Sequence, residues 1–193
     1  MKTRYIEKNE AQALRAELTE AEWLPFAVMM ATGMRIGDVL ALHPWDIREG
    51  ALRYRAQKTG KFGWAPIGAE LEAALRKNAR GVWVFPSPRD GEKHLTRQAA
   101  WARMKRAAEK AGVSAQGVAP HSWRKNFAVE LLRDATLAEV AEALQHERTD
   151  TTEIYAFADW TSGENANLPL VRKDLTKIVE EILRAIGYRL DKH

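Results

Sequence analysis

Apolar positions recur along this chain at helical spacing for most of its length, with one interruption that alternates instead. Asn9 to Leu18 reads as a helix, with Asn9 as a candidate N-cap. Thr19 and Glu22 have the spacing of a capping box, and the helix they open runs to about Thr32. Pro25 bears on where that helix starts, and Gly33 is a candidate C-cap. A short amphipathic helix is expected over Ile36 to Leu42. Ala51 to Ala56 then alternates about Leu52 and Tyr54, as a half-buried strand does. Lys58-Thr59-Gly60-Lys61 is a turn signal, and Phe62 to Ile67 supplies the returning strand of a β-hairpin. Helical spacing resumes over Gly68 to Ala79, Thr96 to Ala111, Ser122 to Arg133, Leu137 to Leu144 and Thr149 to Phe157. It closes with Asp174 to Ile186, which carries Leu175, Ile178, Val179, Ile182 and Leu183 on one face. Val82 to Phe85 is a short apolar run, and Pro86 to Lys93 a loop. The fold class expected is mainly α with one small antiparallel sheet, an α+β arrangement.

At 193 residues the chain suits one domain, and neither a repeat nor a Gly/Ser-rich linker divides it. It has no cysteine, which excludes a disulfide framework and a thiolate zinc site and fits a reducing compartment. The longest uncharged stretch of the N-terminal quarter, Trp23 to Met34, is twelve residues, too short for a membrane span and suited to a buried helix. Polar residues follow the first four, so no secretory signal is expected. Net charge is +4, and 18 of the 30 basic residues are arginine, the better fork for phosphate oxygens. That balance permits a polyanionic partner without requiring one.

Several polar residues could carry chemistry. His121 and Arg124 lie three apart at a helix start, where one face and the helix dipole favour an anion; the plainer reading is a capping histidine and a surface arginine. Arg35 follows the buried helix, either exposed by the turn or paired with Asp38 at i+3. Lys58 sits at the hairpin tip, where most lysines are simply solvated. His146 and Tyr155 are nine apart with Thr149, Thr151 and Thr152 between them, and most tyrosines pack. The helix from Thr96 carries Arg97, Arg103, Lys105, Arg106 and Lys110 against Glu109; it could track phosphates or be a solvated face. No metal-ligand motif, Walker loop or nucleophile elbow is present.

Order and spacing say more than any one of these residues. Thr32-Gly33-Met34-Arg35 with Asp38-Val39-Leu40-Ala41-Leu42 resembles the first arginine box of the tyrosine recombinase (phage integrase) family. Trp45-Asp46-Ile47 resembles the element that commonly follows it, and Gln57-Lys58-Thr59-Gly60-Lys61 the hairpin lysine segment. His121-x-x-Arg124 and Leu144-Gln145-His146 through Thr151-Thr152-Glu153-Ile154-Tyr155 complete the pattern, from about Asn9 to Tyr155. Gln145 stands where glycine is usual, Lys125 where histidine is common, and Lys61 is an alternative to Lys58.

The resemblance implies the fold of that family's catalytic domain over residues 1–160, with 161–193 as a linker and amphipathic helix of the same domain or one packing in trans. Against the family's usual pattern, an N-terminal core-binding domain is expected to be absent here, the sequence being either a catalytic domain alone or a naturally minimal protein. The implied activity is site-specific recombination: double-stranded DNA is broken and rejoined through a 3′-phosphotyrosyl intermediate, with neither metal nor cofactor. In that implied site Arg35, Arg124 and His146 donate to the phosphate, Tyr155 is the nucleophile, His121 accepts its proton and Lys58 is the general acid, with Asp38 in support. Lys61, Arg97, Arg103, Lys105, Arg106 and Lys125 are the candidate DNA contacts. Self-association on DNA, with the C-terminal helix as the candidate contact, and a cytoplasmic, bacterial or phage-encoded setting are also implied. A non-catalytic DNA-binding protein that keeps the fold, or type IB topoisomerase-like relaxation, are the competing readings.

Overall fold

A computed structural model describes residues 4–133 and 135–144. Within them run α1 (Lys8–Ala16), α2 (Glu20–Thr32) and α3 (Ile36–Leu40), then β1 (Ile47–Arg48), β2 (Ala51–Arg55) and β3 (Phe62–Pro66). There follow α4 (Gly68–Asn78), α5 (Arg97–Lys110), α6 (Pro120–Leu131) and α7 (Leu137–Ala143). The helices expected over Thr149–Phe157 and Asp174–Ile186, and the boundary expected at residue 160, lie outside the described residues.

The core is built on α2. Every residue from Trp23 to Thr32 is buried, as befits a helix that is apolar all round. Its start is set by the expected box: the Glu22 amide donates to Thr19 Oγ1, and Glu22 Oε2 accepts from the Thr19 amide at 3.2 Å. Pro25 does not mark the start but lies inside the helix. The helix stops at Gly33, which takes φ +66 while its amide still donates to the Met29 carbonyl at 2.8 Å. Helix α6 packs across α2 through an aromatic cluster, Trp123 meeting Trp23 edge-on at 5.1 Å and Phe26 at 5.9 Å.

The first helix begins one residue before the expected cap: Glu7 is the N-cap, and its amide donates to Glu10 at 3.0 Å. Asn9 instead accepts from the Glu10 amide. The residues ahead of α1 are fastened to α6. Asn126, itself buried, accepts from the Ile6 amide at 3.0 Å and donates to the Ile6 carbonyl at 2.6 Å. Arg4 forks onto Glu10 at 2.6 and 2.8 Å, and its amide donates to the Gly117 carbonyl.

The expected hairpin is the β2–β3 pair, antiparallel, with Leu52 opposite Ala65 and Arg53 opposite Trp64. The two-residue β1 adds a third strand, Ile47 pairing with Leu52. One sheet face turns Leu52 and Ala65 to the core; the other presents Arg53, Arg55, Phe62 and Trp64 to solvent. Val82 to Phe85 forms no strand. Its Val84 amide donates to Leu42, which seats this loop against the end of the α3 segment.

Candidate functional site

The end of α2 and the start of α3 create the first part of the site. Thr32 Oγ1 donates back to the Val28 carbonyl at 2.6 Å and accepts from the Met34 amide, which tightens the turn after Gly33. Met34 is buried, so the next residue, Arg35, is delivered to the rim as the N-cap of α3. Among the described residues no hydrogen bond or ion pair engages its guanidinium.

Arg124 is its opposite. Set on α6, it is 5% exposed. Its Nη1 donates to the Gly33 carbonyl, and its Nη2 to the Leu144 carbonyl at 2.6 Å. Neutral carbonyls orient a guanidinium without cancelling its charge. The carbonyls come from the end of α2 and the end of α7, so Arg124 also ties three helices together. His121, at the exposed start of α6, shares the i, i+3 face with Arg124.

Asp38 carries the hairpin. Its Oδ1 accepts from the Gln57 amide at 2.9 Å, and the pairing with Arg35 that the i+3 spacing allowed is not formed. This one bond tethers the loop whose next residue is Lys58. The loop is closed from within, Gly60 donating to the Ala56 carbonyl at 2.8 Å and Ala56 to the Lys61 carbonyl at 2.9 Å. Lys58 and Lys61 are both exposed. A Cβ on Gly37 would lie 3.5 Å from Gln57 Oε1 and 3.8 Å from Arg97 Cδ. Helix α3, the hairpin loop and the start of α5 therefore converge.

Tyr54, read from the sequence only as an apolar strand position, belongs to the same neighbourhood. Burial and then the Asp38 charge raise its hydroxyl above the usual phenol range, and Arg124 and Arg35 act against that. Its inward parity on β2 was visible in the sequence; the two guanidinium groups beyond it were not.

The basic residues of α5 do not share one role. Arg97 is exposed beside Gly37. Arg103 and Arg106 turn to Glu22 of α2, at 3.6 and 3.9 Å, and Lys105 faces Glu109 at 4.0 Å. The helix is thus not a single cationic stripe. Lys125 is half-buried on α6. His146 and Tyr155 lie outside the described residues. Among those described, no three His, Cys, Asp or Glu side chains gather as a metal site would require. No helix among them is long and apolar enough to cross a membrane.

Comparison with known proteins bears on the family and the fold. The tyrosine recombinase XerD of Ralstonia nicotianae is 34% identical over 143 residues, which cover 66% of this chain and 45% of that protein. The chain thus spans less than half the length of the curated relatives it matches. The crystal structure of XerA recombinase superposes with a TM-score of 0.69 at 21% identity, covering 86% of this chain and 67% of that one. A post-cleavage complex of XerH recombinase with a palindromic difH substrate gives 0.67 at 22% identity, over 86% and 52%. At these identities the structures attest the fold. The sequence model described as the phage integrase family matches residues 4–161, so the chain belongs to that family.

Proposed function

We propose that this chain breaks and rejoins double-stranded DNA as the catalytic part of a site-specific recombinase. What supports the reading above all is the pair of arginines: a buried Arg124 fixed by the Gly33 and Leu144 carbonyls, and, two residues beyond that same Gly33, an Arg35 whose guanidinium no side chain or carbonyl engages among the described residues.

Attack on a phosphodiester gathers negative charge on the non-bridging oxygens in the transition state. Arg35 and Arg124 supply forked donors of permanent charge to those oxygens, and His146 a third donor. A preorganised donor of this kind is worth about 3–4 kcal/mol of barrier. The Tyr155 oxygen attacks phosphorus, its proton passing to His121, while the bond from phosphorus to the 5′-oxygen breaks. Lys58 gives that oxygen its proton, so the broken strand has one end in a 3′-phosphotyrosyl link and the other as a free 5′-hydroxyl. The reverse attack by another strand's 5′-hydroxyl restores a phosphodiester and frees Tyr155. Asp38 acts through Gln57, keeping Lys58 near the arginines. Arg97, Lys61 and Lys125 contact backbone phosphates, and Lys105 extends that contact along α5; Arg103 and Arg106 join them only by leaving Glu22. The recombining assembly contains more than one copy of the chain.

The test is covalent trapping on nicked suicide duplexes. Wild type is expected to give a denaturant-stable protein–DNA adduct that Tyr155→Phe abolishes, with duplex binding unchanged within about two-fold. An adduct that survives Tyr155→Phe overturns the assignment.

A further inference from the structure

The outer face of the hairpin plays no part in the chemistry above. Phe62 is 85% and Trp64 61% exposed, the two most exposed large apolar side chains among the described residues. They stand at i and i+2 of β3 on the solvent face. Directly opposite each on β2 stands an arginine, Arg55 across from Phe62 and Arg53 across from Trp64. The Arg55 guanidinium lies 5.9 Å from the Phe62 ring centre, and its Nε donates to the Gly60 carbonyl at 3.0 Å. No hydrogen bond or ion pair engages Arg53 among the described residues.

We propose that this face is a stacking platform for unpaired bases of single-stranded DNA. Three observations select that occupant. The first is charge. Residues 47–66 carry Arg48, Arg53, Arg55, Lys58 and Lys61 against a single acid, Glu49, which sits in the β1–β2 turn at the far end from the Lys58 loop. The surface is complementary to a polyanion. The second is geometry. Residues i and i+2 of a strand lie about 6.8 Å apart, twice the roughly 3.4 Å rise between stacked duplex bases. Bases seated on both rings must therefore be separated from each other, which an unpaired strand allows without unstacking a duplex. Each opposing arginine then meets the phosphate of the base on its ring. The third concerns self-docking. A second copy laid on this face would bring its own Arg53 and Arg55 into the same interface, adding positive charge to positive charge. The inference goes beyond the strand-transfer reading and is read by binding alone, so either can fail without the other.

The experiment is fluorescence anisotropy of the full chain with three probes: a labelled 12-nucleotide oligothymidylate, a base-free deoxyribose-phosphate strand of the same length, and a duplex. Each lost ring costs roughly five-fold or more in Kd. Phe62→Ala/Trp64→Ala is expected to weaken oligothymidylate binding about 30-fold or more and duplex binding less than two-fold. Wild type is expected to hold the base-free strand no better than the variant holds oligothymidylate. Phe62→Leu/Trp64→Leu keeps apolar bulk without the rings and is expected to behave as the alanine pair does, which covers a variant that fails to fold. Equal losses for single strand and duplex, or no loss with the leucine pair, overturn the proposal. So does a poly-glutamate peptide whose affinity falls with the rings as far as the oligonucleotide's does, because the face then takes an acidic protein.

Discussion

Replacing Gly33 by alanine strikes backbone strain and crowding together, and Gly112 separates the two. Both glycines hold φ +66. A side chain in the left-handed region costs about 1–2 kcal/mol. At Gly112 nothing lies within 4 Å of the added Cβ, so Gly112→Ala is expected to lose that amount and no more. At Gly33 the same Cβ would lie 2.7 Å from Phe127 Cε1 and 2.8 Å from Leu144 Cδ2, well inside contact distance. Overpacking of this kind costs about 1–3 kcal/mol, which brings Gly33→Ala to about 2–5 kcal/mol. The groups that must give way also bear on the site: the Gly33 and Leu144 carbonyls are the acceptors of Arg124. Hydrogen bonds to a charged donor are worth about 1.5–3 kcal/mol each. Cleavage by Gly33→Ala is therefore expected to fall under conditions where the protein is still fully folded. Urea unfolding of the two variants beside wild type is the assay, read as a midpoint shift at constant slope. If Gly33→Ala and Gly112→Ala lose the same free energy within about 0.5 kcal/mol, Phe127 and Leu144 yield at no cost and the reasoning is refuted.

Asp38→Ala removes the acceptor of the Gln57 amide, and that proton is expected to exchange with solvent about ten-fold faster or more, with Leu52 unchanged; an unaltered Gln57 would show that the tether does not matter. Tyr54→Phe is expected to keep forming the covalent adduct, since a hydroxyl held above the phenol range is a poor nucleophile, and its loss would move the nucleophile to β2. The hydrogen bond from Arg4 holds the Glu10 carboxyl below its ordinary value, helped by the Glu7 amide and opposed by burial. A depressed folded pKa stabilises above the unfolded value of about 4.3 and loses that stabilisation as pH falls through the folded one. Wild type is thus expected to lose stability more steeply than Glu10→Gln below about pH 4.3, in urea titrations at successive pH values; parallel curves would contradict this.

The features legible in the sequence are those set by neighbours along the chain. Thr19 and Glu22, Gly33, the alternation about Leu52 and the Thr96 start of α5 each act over a few residues, and each is where it was expected. What pattern could not give is contact across the fold. Asp38 had Arg35 one turn away and chose an amide nineteen positions on, because the hairpin folds back over α3. Arg103 and Arg106 read as free cations until α2 brings Glu22 to them. Strand β1 is two residues long, too short to show a period. Glu7 displaced Asn9 as a cap because the clamp of Ile6 on Asn126 fixes where α1 begins. At the site, motif spacing pointed to Arg35 and Arg124, but not to the carbonyls that hold one of them or to Tyr54, whose hydroxyl feels both charges.

The two-way amide bond between Ile6 and Asn126 makes the beginning of the described chain a lever on α6. Tension applied at Arg4 is borne first by its bond to Gly117 and its fork on Glu10, and then by the Asn126 side chain. Asn126 is two residues from Arg124 on the same helix. A pull on this end of the polypeptide is therefore delivered to the element that aims the buried guanidinium, without passing through the sheet.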